Sequence, residues 1–254
     1  MAHKIEWTEH TWNPTAGCTK ISAGCKNCYA ETMAIRLQAM GVKGYENGFT
    51  FNMVPSRLND PFKRKKPTVF FVNSMSDIFH EEMPEDYLDS IFDVIEKTPY
   101  HTYQILTKRA SRMKVYFEKR AAPKNIWIGV TVDNKKDGLP RIDQLRGIKA
   151  SVLFLSVEPL LEDLGVINLA NIDWVIVGGE SGNKARPMDK EWVQSIKRQC
   201  EEKDVAFFFK QWGTWGADKV KRNKKLNGKE LDGMILHQYP EVIKKQFSVV
   251  QAER

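Results

Sequence analysis

Three cysteines lie close together near the start of the chain, in a C-x6-C-x2-C spacing formed by Cys18, Cys25 and Cys28. Gly17 and Gly24 flank the first gap and favour a loop, and Cys28 is expected to open a helix. Thiolates bind zinc and iron–sulfur centres. The amides of a helix N-terminus would also stabilise the negative charge of such a centre. The segment therefore predicts a metal centre.

The number of clustered thiols bears on the kind of centre. A structural zinc site normally has four protein ligands, whereas a 4Fe-4S cluster held by three cysteines keeps one iron free for an exogenous ligand. We therefore expect the three thiols to hold a 4Fe-4S cluster. Two alternatives stay open, namely reduced cysteines without a metal and a zinc site completed by His10, His80 or Cys200. Cys200 lies on an apolar helical stripe, so we expect it to be a core residue.

The composition is that of a folded protein with a basic surface. The 254 residues are 42% hydrophobic and 28% charged, close to the average for globular proteins. No apolar run approaches the ~18 residues of a membrane span, and residues 1–7 lack the apolar segment of a secretory signal. We therefore expect a soluble, cytoplasmic protein with reduced cysteines. The net charge of +7 favours a polyanionic partner such as nucleic acid.

Short apolar runs alternate with segments of helical spacing. The runs are continuous, as in strands buried on both faces of a parallel sheet, and they begin at Val69, Tyr103, Ile126, Val152, Trp174 and Ala206. Helices are predicted over 84–97, 110–120, 139–147 and 189–203. This order predicts an α/β fold. The two choices are a TIM-barrel-like (β/α) barrel, complete or partial, with about six or more parallel strands, and an open doubly wound sheet.

Polar residues follow nearly every predicted strand, in the segments 73–77, 107–109, 131–134, 156–159, 178–182 and 210–212. In a barrel these strand ends converge on one face, whereas an open sheet uses mainly those at its switch point. The pattern therefore favours the barrel. We expect the barrel to cover residues 1–215 and a basic C-terminal extension to cover 216–254.

Several strand-end residues are candidate ligand contacts. Gly178, Gly179 and Glu180 would let backbone amides approach a ligand closely, and the alternative is a tight turn. Lys108 together with Arg109 would bind a carboxylate or phosphate, unless the pair is simply solvated. Other interpretations are also open for two further features. Glu158 is either a functional carboxylate or half of a salt bridge, and the basic runs at 63–66 and 219–229 either contact nucleic-acid phosphates or face solvent.

Motifs around the cysteines and strand ends resemble those of a known family. They are Trp12-Asn13-Pro14-Thr15-x-Gly17-Cys18, Gly24-Cys25-x-x-Cys28-Tyr29-Ala30, Leu106-Thr107-Lys108-Arg109, Ser156-Val157-Glu158-Pro159 and Gly178-Gly179-Glu180-Ser181-Gly182. The chain resembles the phage-associated three-cysteine-motif family, which occurs in phages and bacterial mobile elements and has a poorly defined function. Through its cysteine loop and βα units it also resembles the radical S-adenosyl-L-methionine (SAM) superfamily. The resemblance covers about residues 5–215.

The resemblance implies a partial barrel with a 4Fe-4S cluster at its mouth, chelated by the amino and carboxylate groups of SAM. Reductive cleavage of SAM would release methionine and a 5′-deoxyadenosyl radical that abstracts a substrate hydrogen. The implied partners are a reductant of the flavodoxin or ferredoxin type and, from the basic charge and the phage association, a nucleic-acid or nucleotide-like substrate. The implied SAM-binding residues are Asn73, Ser74, Ser76, Asp77, Lys108, Glu158, Gly178, Gly179 and Glu180.

The chain departs from the radical SAM superfamily at three places. The superfamily spacing is C-x3-C-x2-C, so the first gap is three residues longer here, and Asn27 stands where the superfamily usually has an aromatic residue. The Gly-Gly-Glu motif that usually binds the SAM amino group follows the second strand, a position held here by residues 73–77. Two other hypotheses therefore stay open. One is a zinc-stabilised nucleic-acid-binding protein without catalysis, and the other is a barrel that binds partners without cleaving SAM.

Overall fold

The structure is a computed structural model that describes residues 7–241, which contain eleven strands and six α-helices. The strands are β1 His10–Trp12, β2 Thr15–Ala16, β3 Asn52–Met53, β4 Val69–Val72, β5 Thr102–Thr107, β6 Ile126–Thr131, β7 Val152–Val157, β8 Trp174–Gly178, β9 Ala206–Gln211, β10 Glu230–Leu231 and β11 Met234–Ile235. The helices are α1 Tyr29–Ala39, α2 Glu85–Lys97, α3 Ala110–Lys119, α4 Lys135–Arg146, α5 Lys190–Glu202 and α6 Lys224–Asn227. Short 3-10 helices cover Ala23–Cys25, Pro55–Arg57 and Asp60–Lys63.

Seven of these strands form one sheet, in the order β1-β4-β5-β6-β7-β8-β9. The pairs β1–β4, β4–β5, β7–β8 and β8–β9 are parallel. Helices α2, α3, α4 and α5 connect successive strands, as parallel pairing requires. The α/β class predicted from the sequence is therefore confirmed. Because β1 and β9 stand at the two ends of the strand order, the described strands correspond to the partial form of the (β/α) barrel.

The six predicted strands are all present, and most extend one or two residues beyond their predicted ends. Strand β1 has only three residues and no continuous apolar run, so it was not predicted. Helix α4 begins four residues earlier than predicted, because Asn134 caps it. The Asn134 Oδ1 accepts a hydrogen bond from the Asp137 amide at 2.7 Å, as an N-cap side chain does. This cap lets the helix continue through Gly138 and Pro140, both of which disfavour a helix interior.

Residues 7–129 together with 147–150 form the first of two compact units. In its core, the rings of Trp12 and Tyr103 meet edge to face, 5.6 Å apart. Helix α2 buries Leu88, Ile91 and Phe92, the stripe that its spacing predicts. The acidic first turn of α2 is favourable beside the positive end of the helix dipole. This unit contains all three clustered cysteines and the segments that follow β4 and β5.

Acidification should weaken the first unit through the buried His101. Burial holds the pKa of this imidazole below its ordinary 6.5, although its Nε2 lies 3.2 Å from the Pro61 carbonyl. As pH falls, the histidine of the unfolded chain therefore binds a proton before that of the folded protein. Its contribution to the free energy of unfolding is full above about pH 6.5 and is lost as pH falls below it. We expect the free energy of unfolding, measured with urea, to fall less steeply between pH 7 and 5 in His101→Gln. The slopes of unfolding free energy against pH in the unmodified protein and in the variant should differ by up to ~1 kcal/mol per pH unit. Equal slopes would contradict this role of His101.

Residues 130–146 and 151–241 form the second unit. Helix α5 buries Val193, Ile196 and Cys200, so Cys200 is the core residue that its spacing predicts. Burial raises the pKa of the Cys200 thiol to about 12. The segment after residue 215 joins this unit through strand β9, because the Phe209 amide donates to the Leu236 carbonyl at 2.8 Å.

Residues 1–6 and 242–254 lie outside the described residues. They include most of the segment predicted not to be a secretory signal and the last part of the predicted basic extension. Between residues 7 and 241, none of the helices has both the length and the apolar composition that crossing a membrane requires.

Candidate functional site

The first clustered cysteine is held between two backbone segments of the first unit. The Gly17 amide donates to the Met75 carbonyl at 3.0 Å, and the Cys18 amide donates to the Phe49 carbonyl at 2.9 Å. Gly17 has a φ of +76°, and a Cβ at this position would lie 2.0 Å from the Thr50 carbonyl oxygen. Only glycine fits here, because both the backbone conformation and the close approach exclude a side chain.

Gly17→Ala should therefore destabilise the protein by ~2–4 kcal/mol. The cost arises because alanine disfavours the left-handed backbone and because its Cβ would displace the segment at Thr50. Gly41→Ala is the matched control. Gly41 has a similar φ of +66° but no atom within 4 Å of a new Cβ, so its cost should be only ~1 kcal/mol. Urea unfolding of both variants measures the difference. Equal losses would mean that the contact with Thr50 does not constrain the loop.

Arg109 connects the cysteine loop to the sheet. Its Nη1 lies 3.5 Å from the Cys18 Sγ, and its Nη2 donates to the Thr19 carbonyl and hydroxyl at 3.2 and 2.7 Å. Its Nε lies 2.9 Å from a carboxylate oxygen of the exposed Glu81, and Nη1 also contacts the buried Asp77 at 3.2 Å. Burial disfavours the charged form, but the negative charge of Asp77 outweighs it and raises the pKa of Arg109.

Asp77 holds this arginine in place. One of its oxygens accepts from the Phe79 amide at 3.0 Å and the Thr107 hydroxyl at 2.7 Å. The other accepts from the Lys108 amide at 3.0 Å and from Arg109 at 3.2 Å. Both oxygens are therefore engaged by the protein, which makes Asp77 a positioning residue for Arg109 and links the segments that follow β4 and β5.

The three clustered thiols are free and half-buried, whereas Cys200 is fully buried. Burial and the Asp77 carboxylate raise the pKa of the Cys18 thiol to about 11, against the charge of Arg109. For Cys25, burial acts in the same direction. There, however, the charge of Lys108 and the Ser22 hydroxyl, 3.5 Å from Sγ, outweigh it and lower the pKa of the thiol. Each of these two thiols therefore has a cationic side chain nearby.

Cys28 is the N-cap residue of α1, as its place before the helical segment predicts. Its thiol makes no cap hydrogen bond. It packs instead against a buried apolar cluster formed by Ala16, Ala30, Ala34, Tyr45, Val54 and Met75. The direction of this thiol is therefore set by packing rather than by a polar partner.

His10 and His80 are the two histidines that could complete a zinc site with the cysteines. In the described part of the chain, no three His, Cys, Asp or Glu side chains converge closely enough to hold a metal ion as they stand. The His80 Nδ1 accepts from the Glu82 amide at 3.2 Å, and its Nε2 lies 3.1 Å from the Thr19 hydroxyl. The His10 Nδ1 lies 3.1 Å from Arg64. Both candidate histidine ligands therefore already have polar partners.

The polar residues that follow β4 differ in how fully they are bonded. The Thr15 hydroxyl donates to Ser76 at 2.9 Å, and the Ser74 hydroxyl donates to the Asn13 side chain at 3.1 Å. Asn73 has a φ of +57°, and its Oδ1 accepts from the Thr15 amide at 3.4 Å. Its buried Nδ2 has no hydrogen-bond partner. A buried donor without a partner costs ~1–3 kcal/mol, so this amide is a candidate donor to a ligand.

In the second unit, the expected strand-end carboxylate Glu158 is paired. One oxygen lies 3.0 Å from the Lys210 Nζ, and the other accepts from the Ser156 hydroxyl at 3.3 Å. A Cβ on Gly178 would lie 2.6 Å from the first of these oxygens. Gly178 is therefore close to Glu158, and the absence of a side chain there gives this carboxylate its space.

The neighbouring Gly179 and Glu180 also make close contacts within this unit. A Cβ on Gly179 would lie 1.9 Å from the Trp212 carbonyl oxygen, and the Gly179 amide donates to the Gln211 carbonyl at 2.9 Å. Glu180 is buried and accepts from Arg186 through both oxygens, at 2.6 Å from Nη2 and 2.9 Å from Nε. Gly179 thus allows close approach of the protein's own backbone.

Several residues of these networks were not singled out in the sequence. Thr19 and Glu81 bind Arg109, Lys210 binds Glu158, and Arg186 binds Glu180. Lys210 had a signal, because it begins the polar segment after the last predicted strand. Arg109 was grouped with Lys108 as an anion-binding pair, whereas its observed partners are Asp77 and the cysteine loop.

Solved structures of spore photoproduct lyase are similar to this chain. The complex with dinucleoside spore photoproduct shares 15% identity at a TM-score of 0.46, over 78% of this chain and 63% of that one. A variant with bound AdoMet and dinucleoside spore photoproduct has the same identity and coverage at a TM-score of 0.45. The chain thus spans less than two thirds of the length of these structures.

No protein of curated function is significantly similar to the chain in sequence. A family model described as "Protein of unknown function (DUF5131)" matches residues 2–240. Its undefined function agrees with the resemblance of the cysteine motif to a family of poorly defined function. Because the match extends over nearly the whole sequence, the chain belongs to the DUF5131 family.

Proposed function

We propose that the protein is a radical SAM-like enzyme in which Cys18, Cys25 and Cys28 hold a 4Fe-4S cluster that binds S-adenosyl-L-methionine. One observation carries the proposal. Three free, half-buried thiols occupy a single loop next to two cationic side chains, whereas the fourth cysteine is fully buried. Three thiolates leave one iron of such a cluster open to an exogenous ligand.

The residues around the thiols have defined tasks in this proposal. Arg109 and Lys108 offset the negative charge of the thiolates, and Arg109 also fixes the loop through Thr19. The packing of Cys28 fixes the third thiol. When bound, the cluster supplies the electron for cleavage of SAM to methionine and a 5′-deoxyadenosyl radical, and the protein holds these groups and excludes water.

Asn73 is the proposed contact for the carboxylate of SAM, because its buried Nδ2 is a donor without a partner. A charged acceptor would satisfy it with a strong hydrogen bond. The same proposal assigns Ser74, Ser76, Asp77 and Lys108 to the surroundings of the cofactor. It also includes Glu158, Gly178, Gly179 and Glu180, of which Glu158 and Glu180 would have to exchange their partners Lys210 and Arg186 for the ligand.

The proposal gives the radical chemistry to residues 1–215 and treats 216–254 as a basic extension. The partners it requires are a one-electron reductant of the flavodoxin or ferredoxin type and a nucleic-acid or nucleotide-like substrate. The net charge of +7 supports a polyanionic substrate.

Anaerobic purification followed by visible and electron paramagnetic resonance spectroscopy tests this function. The expected result is a brown protein whose reduced spectrum shows a 4Fe-4S signal that shifts when SAM is added. A colourless protein containing zinc would instead support a zinc-stabilised binding protein. A cluster whose signal does not respond to SAM would overturn the proposed mechanism while leaving the cysteine assignment intact.

A further inference from the structure

Three loops of the first unit meet at the amino ends of β4, β5 and β6. We call their combined surface the amino-end surface, and it comprises residues 61–68, 97–102 and 121–125. The His101 Nε2 lies 3.2 Å from the Pro61 carbonyl oxygen, and the Thr102 amide donates to the Thr68 carbonyl at 3.1 Å. The Asn125 side chain donates to the His101 carbonyl at 3.1 Å. Direct hydrogen bonds therefore join all three loops.

The amino-end surface is strongly basic. Its loops contain no Asp or Glu, and their six cationic residues are Lys63, Arg64, Lys65, Lys66, Lys97 and Lys124. Lys63 is paired with Asp60 at 2.6 Å. The four exposed lysines Lys65, Lys66, Lys97 and Lys124 have no ion-pair partner among residues 7–241. Four unpaired ammonium groups on one surface attract a ligand with several negative charges, such as a chain of phosphates.

Two aromatic rings are exposed among these lysines. The side chain of Tyr100 is 45% exposed and that of Phe62 is 37% exposed. The Tyr100 ring packs against the His101 ring, and the two ring centroids lie 4.3 Å apart. Exposed rings beside cationic groups suit unpaired bases, which stack on aromatic side chains while their phosphates contact the cations.

The amino-end surface also lies far from the thiol loop. Strand β5 runs from this surface at Thr102 to Thr107, next to Lys108 on the cysteine side. Six residues of strand span roughly 20 Å. A single nucleotide cannot reach across that distance, whereas a polymer several nucleotides long can.

We propose that the amino-end surface binds single-stranded nucleic acid, through its lysines to phosphates and through Tyr100 and Phe62 to bases. The inference deepens the proposed function, on whose nucleic-acid part it rests, by making the substrate a polymer. An acidic protein or an anionic membrane would use the lysines but would not need ring faces for stacking. The lysines and the rings can therefore be tested separately.

The test is fluorescence anisotropy of a labelled 20-nucleotide single-stranded DNA with the full-length, cluster-loaded protein, titrated at several KCl concentrations. One variant replaces Lys65, Lys66, Lys97 and Lys124 with Ala. Its control makes the same replacement at Lys43, Lys114, Lys135 and Lys136, which are exposed lysines away from the amino ends of the strands. Both variants have the same net charge, so a difference between them reports on position rather than on overall charge.

The proposal predicts at least tenfold weaker binding for the first quadruple variant, with a smaller salt dependence, and less than about threefold weakening for the control. Tyr100→Ala should weaken binding at least about fivefold, and Tyr100→Phe should bind like the unmodified protein. Equal weakening in both quadruple variants would overturn the proposal. A four-nucleotide DNA that binds as tightly as the 20-nucleotide one would overturn the polymer assignment.

The visible spectrum of each sample, recorded with and without SAM, separates the two proposals. If the first quadruple variant loses nucleic-acid binding but keeps the cluster and its response to SAM, the result supports the amino-end surface. If the unmodified protein shows the cluster and the SAM response but does not bind the 20-nucleotide DNA, the amino-end surface is refuted and the proposed function is not.

Discussion

Replacement of any one of Cys18, Cys25 or Cys28 with Ala is expected to abolish cluster binding. Three thiolates bind three of the four irons of the cluster and leave one open, whereas two thiolates would leave a second iron exposed to solvent. The purified, reconstituted protein should therefore fall from about four iron atoms per chain to below one in each variant. Iron and sulfide content, together with the visible spectrum, measure this loss.

Cys200→Ala is the matched control, because this thiol is buried in α5. Its variant should keep the full iron content and lose only stability, by an amount that depends on how well the core refills the space. If Cys200→Ala loses the metal as fully as the other three variants, a closed four-ligand site becomes the better description. Retention of the cluster by any single variant of the loop would remove that cysteine from the ligand set.

Asp77→Ala is expected to cost about 3–5 kcal/mol of the free energy of unfolding. The change leaves the buried guanidinium of Arg109 without its buried counter-charge. It also removes the acceptor for the Phe79 amide, the Thr107 hydroxyl and the Lys108 amide. Urea unfolding with an unchanged m-value would measure the loss directly.

Glu81→Ala provides the comparison, since Glu81 contacts the same guanidinium from the solvent side. The Glu81 side chain is 58% exposed and that of Asp77 is 8% exposed. Water screens the exposed pair, so this second variant should lose no more than ~1 kcal/mol. Similar losses in both variants would show that Asp77 is not the main support of Arg109. Asp77→Asn, which keeps an acceptor but no charge, should fall between the two.

The six predicted strands were predictable because each contains a continuous run of apolar residues, such as the run at 152–155 in β7, a strand that is buried along its whole length. Strand β1 lacked that signal. It is short and includes His10, and only its parallel pairing with β4 makes it a strand. The start of α4 was also hidden, because the Asn134 cap outweighs the low helix propensity of Gly138 and Pro140.

The cysteine spacing was visible in the sequence, but the groups that hold the loop were not. Arg109 and Cys18 are separated by 91 positions, and no local pattern connects them. The Asp77 carboxylate looked like a possible ligand because it follows a strand, and only the structure reveals that both its oxygens are engaged by the protein. Strand-end position thus identifies which residues lie near a site, whereas the hydrogen bonds decide which of them are free to act.

The 91 positions between Cys18 and Arg109 also set the timing of events during biosynthesis. At ordinary rates of translation, a growing chain needs roughly 5 to 20 seconds to extend that far. Throughout that interval the thiols have already been made, but the arginine and the Asp77 network that hold their loop are incomplete. Under the proposed function, we expect cluster assembly to follow the emergence of β5 and Arg109, and until then the thiols would depend on the reducing capacity of their surroundings.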